Sequence, residues 1–203
     1  IVFNGEIYNW IEIRKKISKI NWKSKSDTEV LIEAFEKDDL NIFDYINGIF
    51  SFAIYDIKKK ELLVARDRLG VKPLYWTIKN NNFIFSSEIK GLLACGVKKE
   101  PCKKALKDFL FNGLIDHSEV TLFENIYQLE PGNFLKIKSN GEIQKKNYWN
   151  LKEKVKETTE ILKFKSKKYI FEKYEKLLND SLNLEIRSDV KIGTTLSSGF
   201  DSS

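Results

Sequence analysis

The sequence has no methionine, one histidine, two cysteines and three prolines among 203 residues. Each scarcity excludes something. Cys95 and Cys102 lack partners and metal-ligand spacing, which removes a disulfide framework and a cysteine-based metal module and suits a reducing, cytoplasmic setting. The lone His117 has no partner triad in the sequence and reads as a surface or turn residue. No apolar run approaches the roughly 20 residues of a membrane span, and no signal-peptide pattern is present. The chain starts at Ile1 and stops at Asp201-Ser202-Ser203 without a closing element, so it reads as an internal piece of a longer protein.

What is present supports a packed core. Apolar residues make up 42% and aromatic residues 13%, enough for one large domain or one domain and part of another. The net charge is +6, with lysines spread along the whole chain. No basic helix with interleaved aromatics stands out, so neither nucleic acid nor a membrane is an expected partner.

Periodicity and turn chemistry predict the elements. Ile1–Phe3 reads as the end of a strand running into the turn pair Asn4-Gly5. Trp10–Ile20 reads as a helix with Ile13 and Ile17 on one face. Ser26 with Glu29 fits a capping box for a second helix carrying Val30, Leu31, Ala34 and Phe35. Phe50–Asp56 and Glu61–Arg66 alternate as a hairpin across Lys58-Lys59-Lys60. Leu74–Ile78 with Asn82–Ser86, and Phe134–Lys138 with Glu142–Lys146, give two more hairpins around Asn80-Asn81 and Ser139-Asn140-Gly141. Lys104–Asn112 is a short helix stopped by Gly113. Helices and antiparallel hairpins in this order indicate α+β rather than repeated βαβ units.

The texture changes after Tyr148-Trp149. Residues 1–150 form the expected first domain. Leu151–Lys168, rich in Lys, Glu and Thr with little periodicity, reads as a linker or a crossing segment. Residues 169–203 open a second, truncated domain, with a helix over Tyr169–Arg187 and a strand over Asp189–Leu196. Ser197-Ser198-Gly199-Phe200-Asp201-Ser202 follows. A Ser/Gly/Asp loop after a strand is either a plain turn or a phosphate cradle, in which backbone N–H groups wrap a pyrophosphate. It is not a Walker A loop, since Gly-Lys-Ser/Thr is missing.

NGEIYN at 4–9, SDTE at 26–29, ARDRLGVKPLY at 65–75, SSEIK at 86–90, LEPG at 129–132 and DVKIGTTLSSGFDSS at 189–203 occur in one order. Together they resemble the glutamine-hydrolysing asparagine synthetases over essentially the whole chain. The resemblance implies an N-terminal-nucleophile-type glutaminase sandwich with αββα layers, lacking its first strands. The start of an α/β ATP-pyrophosphatase domain follows.

The resemblance also implies site residues. Asn4 and Gly5 would form the oxyanion hole and, with Glu6 and Asp27, bind glutamine, the two carboxylates holding its α-ammonium group. Leu196, Ser197, Ser198, Gly199, Asp201 and Ser202 would bind ATP with Mg²⁺; no protein-held metal site is implied. Ser198 departs from the family's S-G-G-x-D-S loop, where a glycine stands. The nucleophilic cysteine, whose α-amino group serves as its base, would precede Ile1. Neither Cys95 nor Cys102 matches it, so this segment alone is expected to be inactive. Read from residues alone, Asn4-Gly5 is an ordinary turn and Asp27 a capping residue. Arg66 to Pro73 reads as a structural turn in which Arg66 and Asp67 pair, with a role at a domain contact open.

The expected reaction transfers the glutamine amide nitrogen to aspartate, with ATP cleaved to AMP and pyrophosphate through an aspartyl-AMP. Homodimers are compatible with the resemblance. The alternative is a related amidotransferase acting on another carboxylate, in a surface sugar or a small metabolite. Amidophosphoribosyltransferase and glucosamine-phosphate synthase share the glutaminase half, but a terminal pyrophosphatase-type loop argues against both. A degenerate relative that only binds a partner is the non-enzymatic reading; the intact NGE and SDTE segments speak against it.

Overall fold

Two antiparallel sheets carry the first part of the chain. The computed structural model describes residues 1–17, 21–188 and 190–199. Its contacts divide it into a unit over Ile1–Val155 and another over Lys156–Ser203.

In the first unit, β1 (Val2–Ile7), β2 (Gly48–Asp56), β3 (Glu61–Arg66), β7 (Asn133–Lys138) and β8 (Ile143–Asn147) form a five-stranded sheet in the order β1-β2-β3-β7-β8. A smaller sheet has the order β5-β4-β6, from β4 (Tyr75–Lys79), β5 (Asn82–Ser86) and β6 (Tyr127–Gln128). Helices α1 (Trp10–Lys16) and α2 (Asp27–Asp38) and a 3-10 segment over Asp39–Asp44 accompany the large sheet; α3 (Ile89–Ala94) packs on the small one, and α4 (Lys103–Asn112) follows.

The period-2 alternation of the strands builds two cores. Phe50, Phe52 and Ile54 of β2, Leu63 and Ala65 of β3 and Phe134 of β7 turn towards Val30, Leu31 and Ala34 of α2. Their neighbours Ala53, Val64 and Leu135 turn the other way, onto Leu74, Leu129, Trp76, Phe83 and Phe85 of the small-sheet side. A strand with both faces buried explains why β2 is apolar at nearly every position. Full burial of a Phe or Leu side chain contributes about 1.5–3 kcal/mol. Phe43 stacks between Phe134 and Tyr148, with centroids 5.5 and 4.2 Å away.

The predicted hairpins form with local turn chemistry in control. Asn80 and Asn81 adopt φ of 48° and 63°, the positive-φ pair a two-residue hairpin turn needs. Gly113 ends α4 in the left-handed conformation. Ser26 caps α2 by accepting the Thr28 N–H. Glu29 does not reach back to Ser26; it holds the Lys23 and Ser24 N–H groups instead.

Three expectations need correction. The strand read as ending at Phe3 runs through Asn4 and Gly5 to Ile7, in register with β2 from Val2↔Ala53 to Ile7↔Gly48. There is no Asn-Gly turn. Second, 151–168 is not the irregular stretch its composition suggests: α5 covers Leu151–Leu162, and Asn150 Oδ1 accepts the Lys152 and Glu153 N–H groups at its start. Lys and Glu are good helix formers, and Leu151, Val155 and Leu162 share one face, with Leu151 and Val155 left exposed. Third, residues 190–196 form no strand. A strand needs a neighbour to satisfy its backbone, and no strand exists among the described residues of the second unit.

The helix expected over Tyr169–Arg187 is α6 (Lys167–Glu185), capped by Ser166. Its Ile170, Tyr174, Leu177 and Leu178 stay exposed. The first helix stops at Lys16; the predicted positions 18–20 and Asp189 lie outside the described residues. Among the described residues, no helix is long and apolar enough to cross a membrane.

Candidate active site

The site is built on β1, the edge strand of the large sheet. Ile7 lies in the helix-side core and Phe3 packs against it, so alternation directs Asn4 and Glu6 to the opposite face. The Asn4 Nδ2 group donates to Ser87 Oγ at 3.1 Å. Ser87 follows β5 directly, so this bond joins the two sheets. Glu6 is exposed, and its carboxylate has no hydrogen-bond or ion-pair partner among the described residues.

Gly5 sits between them with φ of +149°, a conformation L side chains rarely adopt. A Cβ there would stand 2.1 Å from the Ile49 carbonyl oxygen and 2.6 Å from the Phe50 Cα. The position therefore requires glycine, both for its backbone angle and for the close approach of β2.

Backbone direction decides what this strand offers outward. The Tyr8 N–H donates to Asn47 O, on the β2 side, at 2.8 Å. The Ile7 N–H points to the free edge, where Asp27 Oδ2 accepts it at 2.9 Å. N–H groups alternate along a strand, so the Gly5 N–H lies on the same outer edge as that of Ile7. Asp27 is the first residue of α2, where a carboxylate is favoured by the helix dipole. It takes one N–H through Oδ2, and a carboxylate has about four lone-pair sites, which leaves capacity for a ligand.

Thus Asn4, Gly5 and Glu6 occupy consecutive positions of β1, and Asp27 is fastened to the same strand one residue further on. Two donors and two carboxylates share one short stretch of sheet edge. The turn before α1 is itself held: Asn9 Nδ2 donates to Tyr45 O, and the Asn47 N–H donates to Asn9 Oδ1, both at 2.8 Å.

The Arg66–Pro73 segment is structural, as its residues suggest, but not by the pairing expected. Arg66 Nε donates to Lys72 O, one terminal nitrogen to Gly70 O, and the other to Leu129 O. Asp67 Oδ1 accepts from the Leu69 and Val71 N–H groups, and Oδ2 from those of Lys72 and Phe50. Each side chain grips backbone rather than the other. Asp67 is 1% exposed, and a buried ion whose lone pairs are met by several N–H groups is tolerated. Burial lowers the Arg66 pKa, opposed by the Asp67 charge.

Leu196, Ser197, Ser198 and Gly199 belong to the second unit, without regular structure before them; Leu196 is 78% exposed. Asp201 and Ser202 lie outside the described residues. Cys102 is the buried N-cap of α4 and Cys95 the exposed C-cap of α3; neither is on β1 or α2. Ser87 stands inside the SSEIK segment, whose sequence assigns it no role. No spacing rule links residues 83 positions apart.

Comparison with known proteins agrees with this architecture. Over all 203 residues the chain is 30% identical to a protein of Gibberella zeae named amidase chry2. Over an alignment of 215 positions it is 35% identical to asparagine synthetase [glutamine-hydrolyzing] 2 of Bacillus subtilis. It spans all of its own length but only 29% and 28% of theirs. Among solved structures, glutamine phosphoribosylpyrophosphate amidotransferase from Bacillus subtilis aligns over 72% of this chain and 28% of its own, with a TM-score of 0.51 at 19% identity. That likeness shows the fold, an N-terminal-nucleophile-type αββα sandwich. Residues 1–149 match the glutamine amidotransferase domain, and the chain belongs to that family.

Proposed function

We propose that this chain supplies the glutamine-hydrolysing half of a glutamine-dependent amidotransferase, and that aspartate is the acceptor in the full-length protein. The observation that supports it best is the NGE stretch held open on an edge strand, with Asp27 fastened beside it. Glu6 and Asp27 bind the α-ammonium group of free glutamine through charge-assisted hydrogen bonds. A thiolate, from the cysteine expected ahead of Ile1, attacks the side-chain amide carbon. The carbonyl oxygen becomes an oxyanion, received by the Asn4 Nδ2–H and Gly5 N–H groups. Loss of one such donor costs about 2.7–4 kcal/mol in the transition state. The amide nitrogen takes the proton that the cysteine's α-amino group had accepted from the thiol and leaves as ammonia; water then cleaves the thioester, giving glutamate and the free thiol.

ATP, with Mg²⁺, is the proposed driving group for the acceptor half, with aspartyl-AMP as intermediate. This part rests on the sequence motif at 196–202 and on the asparagine synthetase relative. The described residues 190–199 do not by themselves make a cradle for pyrophosphate, so no step is assigned to them. Ser198, in place of the family glycine, favours a second reading in which the acceptor is another carboxylate. The relative named as an amidase points the same way.

The test uses the full-length protein with glutamine, ATP, Mg²⁺ and a panel of carboxylic acids. Aspartate-dependent pyrophosphate release with asparagine formed supports the main reading. Release with another acid replaces the acceptor. A folded protein that yields no glutamate from glutamine overturns the glutaminase proposal.

A further inference from the structure

We infer that Ser87 is a positioning residue for the oxyanion hole, setting the plane of the Asn4 side-chain amide; the inference rests on the glutaminase reading above. An asparagine amide on a strand has two free torsions, and its two ends differ in chemistry. Only its N–H end stabilises an oxyanion. Preorganisation is what makes such a donor effective. Ser87 Oγ accepts one Nδ2–H at 3.1 Å, which restrains the rotation of the amide about its side-chain torsions. The second N–H remains for the oxyanion, beside the Gly5 N–H.

The anchor is itself constrained. Ser87 lies in the short step from β5 to α3 and is half buried. The neighbouring Ser86 Oγ accepts the Glu88 N–H at 3.2 Å, bending the chain there. Gly91, one helical turn on, leaves room for that hydroxyl: a Cβ at Gly91 would stand 2.4 Å from Ser86 Oγ. The Ser87 hydroxyl is therefore presented from the small sheet by a tight turn, while Asn4 comes from the large one. The amide is held from outside its own strand.

A side chain that only tied the sheets together would affect stability and glutamine affinity alike. A positioning residue affects turnover. In the full-length protein, Ser87→Ala is expected to lower glutaminase kcat about tenfold, a part of the 10²–10³ attributed to a whole donor, with KM changed less than about twofold. Ser87→Thr keeps the hydroxyl and is expected to restore most of kcat. A glutamine-derived aldehyde, which becomes an oxyanion-like adduct on a thiol, should bind Ser87→Ala about tenfold more weakly, while glutamate affinity is unchanged. Activity driven by free ammonia serves as the folding control. If the wild type hydrolyses glutamine and Ser87→Ala keeps its kcat, the inference falls and the glutaminase reading stands. A parallel loss in kcat, aldehyde and glutamate binding also overturns it. A folded wild type without hydrolysis overturns both.

Discussion

The Asp27 carboxylate accepts the Ile7 backbone N–H at 2.9 Å. One bond thereby fastens the first residue of α2 to the open edge of β1, two residues beyond Gly5. The same carboxylate is proposed to hold the glutamine ammonium, so it has a structural and a binding duty that substitution can separate.

Asp27→Asn keeps an oxygen for the Ile7 N–H and removes the charge. It is expected to fold with stability within about 1 kcal/mol of wild type and to raise the glutamine KM roughly 10²-fold, on the scale of a lost charge-assisted contact. Asp27→Ala loses both duties and should also cost about 1–2 kcal/mol. Urea denaturation beside steady-state kinetics separates the two variants. Equal KM values for wild type and Asp27→Asn would remove Asp27 from the glutamine site.

Gly5→Ala tests the strand geometry. Its methyl would sit 2.1 Å from the Ile49 carbonyl oxygen, at φ of +149°. Strain and overpacking together should cost about 2–4 kcal/mol. A melting temperature equal to that of wild type would contradict the described register of β1 on β2.

Asp67 tests the Arg66–Pro73 turn. Removing a carboxylate that serves four buried or half-buried N–H groups leaves them unsatisfied. Asp67→Ala is expected to destabilise by about 3–5 kcal/mol, in the range of a broken buried charge network. Denaturant midpoints measure it. A loss under 1 kcal/mol would mean that the turn holds without the carboxylate.

Tyr148 carries a pH signature. Its hydroxyl donates to Arg66 O at 2.7 Å. Burial pushes its pKa well above the tyrosine range, with the Asp67 charge in the same direction and that of Arg68 against it. The folded state thus keeps the phenol protonated where the unfolded chain, titrating near pH 10, releases it. Its contribution is complete below about pH 10 and is lost as pH rises through the folded pKa. Denaturant midpoints should fall between about pH 10 and 11.5, and fall less steeply in Tyr148→Phe. Parallel slopes for the two proteins would assign the alkaline loss to other groups.

Much of the scaffold was legible along the chain. The hairpins at Asn80-Asn81 and Ser139-Asn140-Gly141 are written locally: positive-φ residues fall between alternating strands, and the turn follows from sterics. The α2 and α4 boundaries follow from Ser26 and Gly113 for the same reason. The order of NGE, SDTE and the ARDRLGVKP segment marks the glutamine amidotransferase family without reference to any contact. Local rules went wrong where pairing or its lack decided. Asn4-Gly5 resembles a turn in isolation, but six consecutive partners on β2 draw it into a strand. Residues 190–196 resemble a strand, but no strand in the second unit's described residues pairs with them. Leu151–Leu162 forms a helix whose apolar positions, Leu151, Val155 and Leu162, are sparse among lysines, glutamates and threonines, so composition masked their helical spacing.

What the sequence determined by itself was the chemistry available: two donors, two carboxylates and the glycine between them. The tertiary structure decided how they meet. Packing of α2 brings Asp27 to Ile7 across 20 positions, and the stacking of two sheets brings Ser87 to Asn4 across 83. Propensity acts over a few residues, whereas these contacts exist only after both cores are buried.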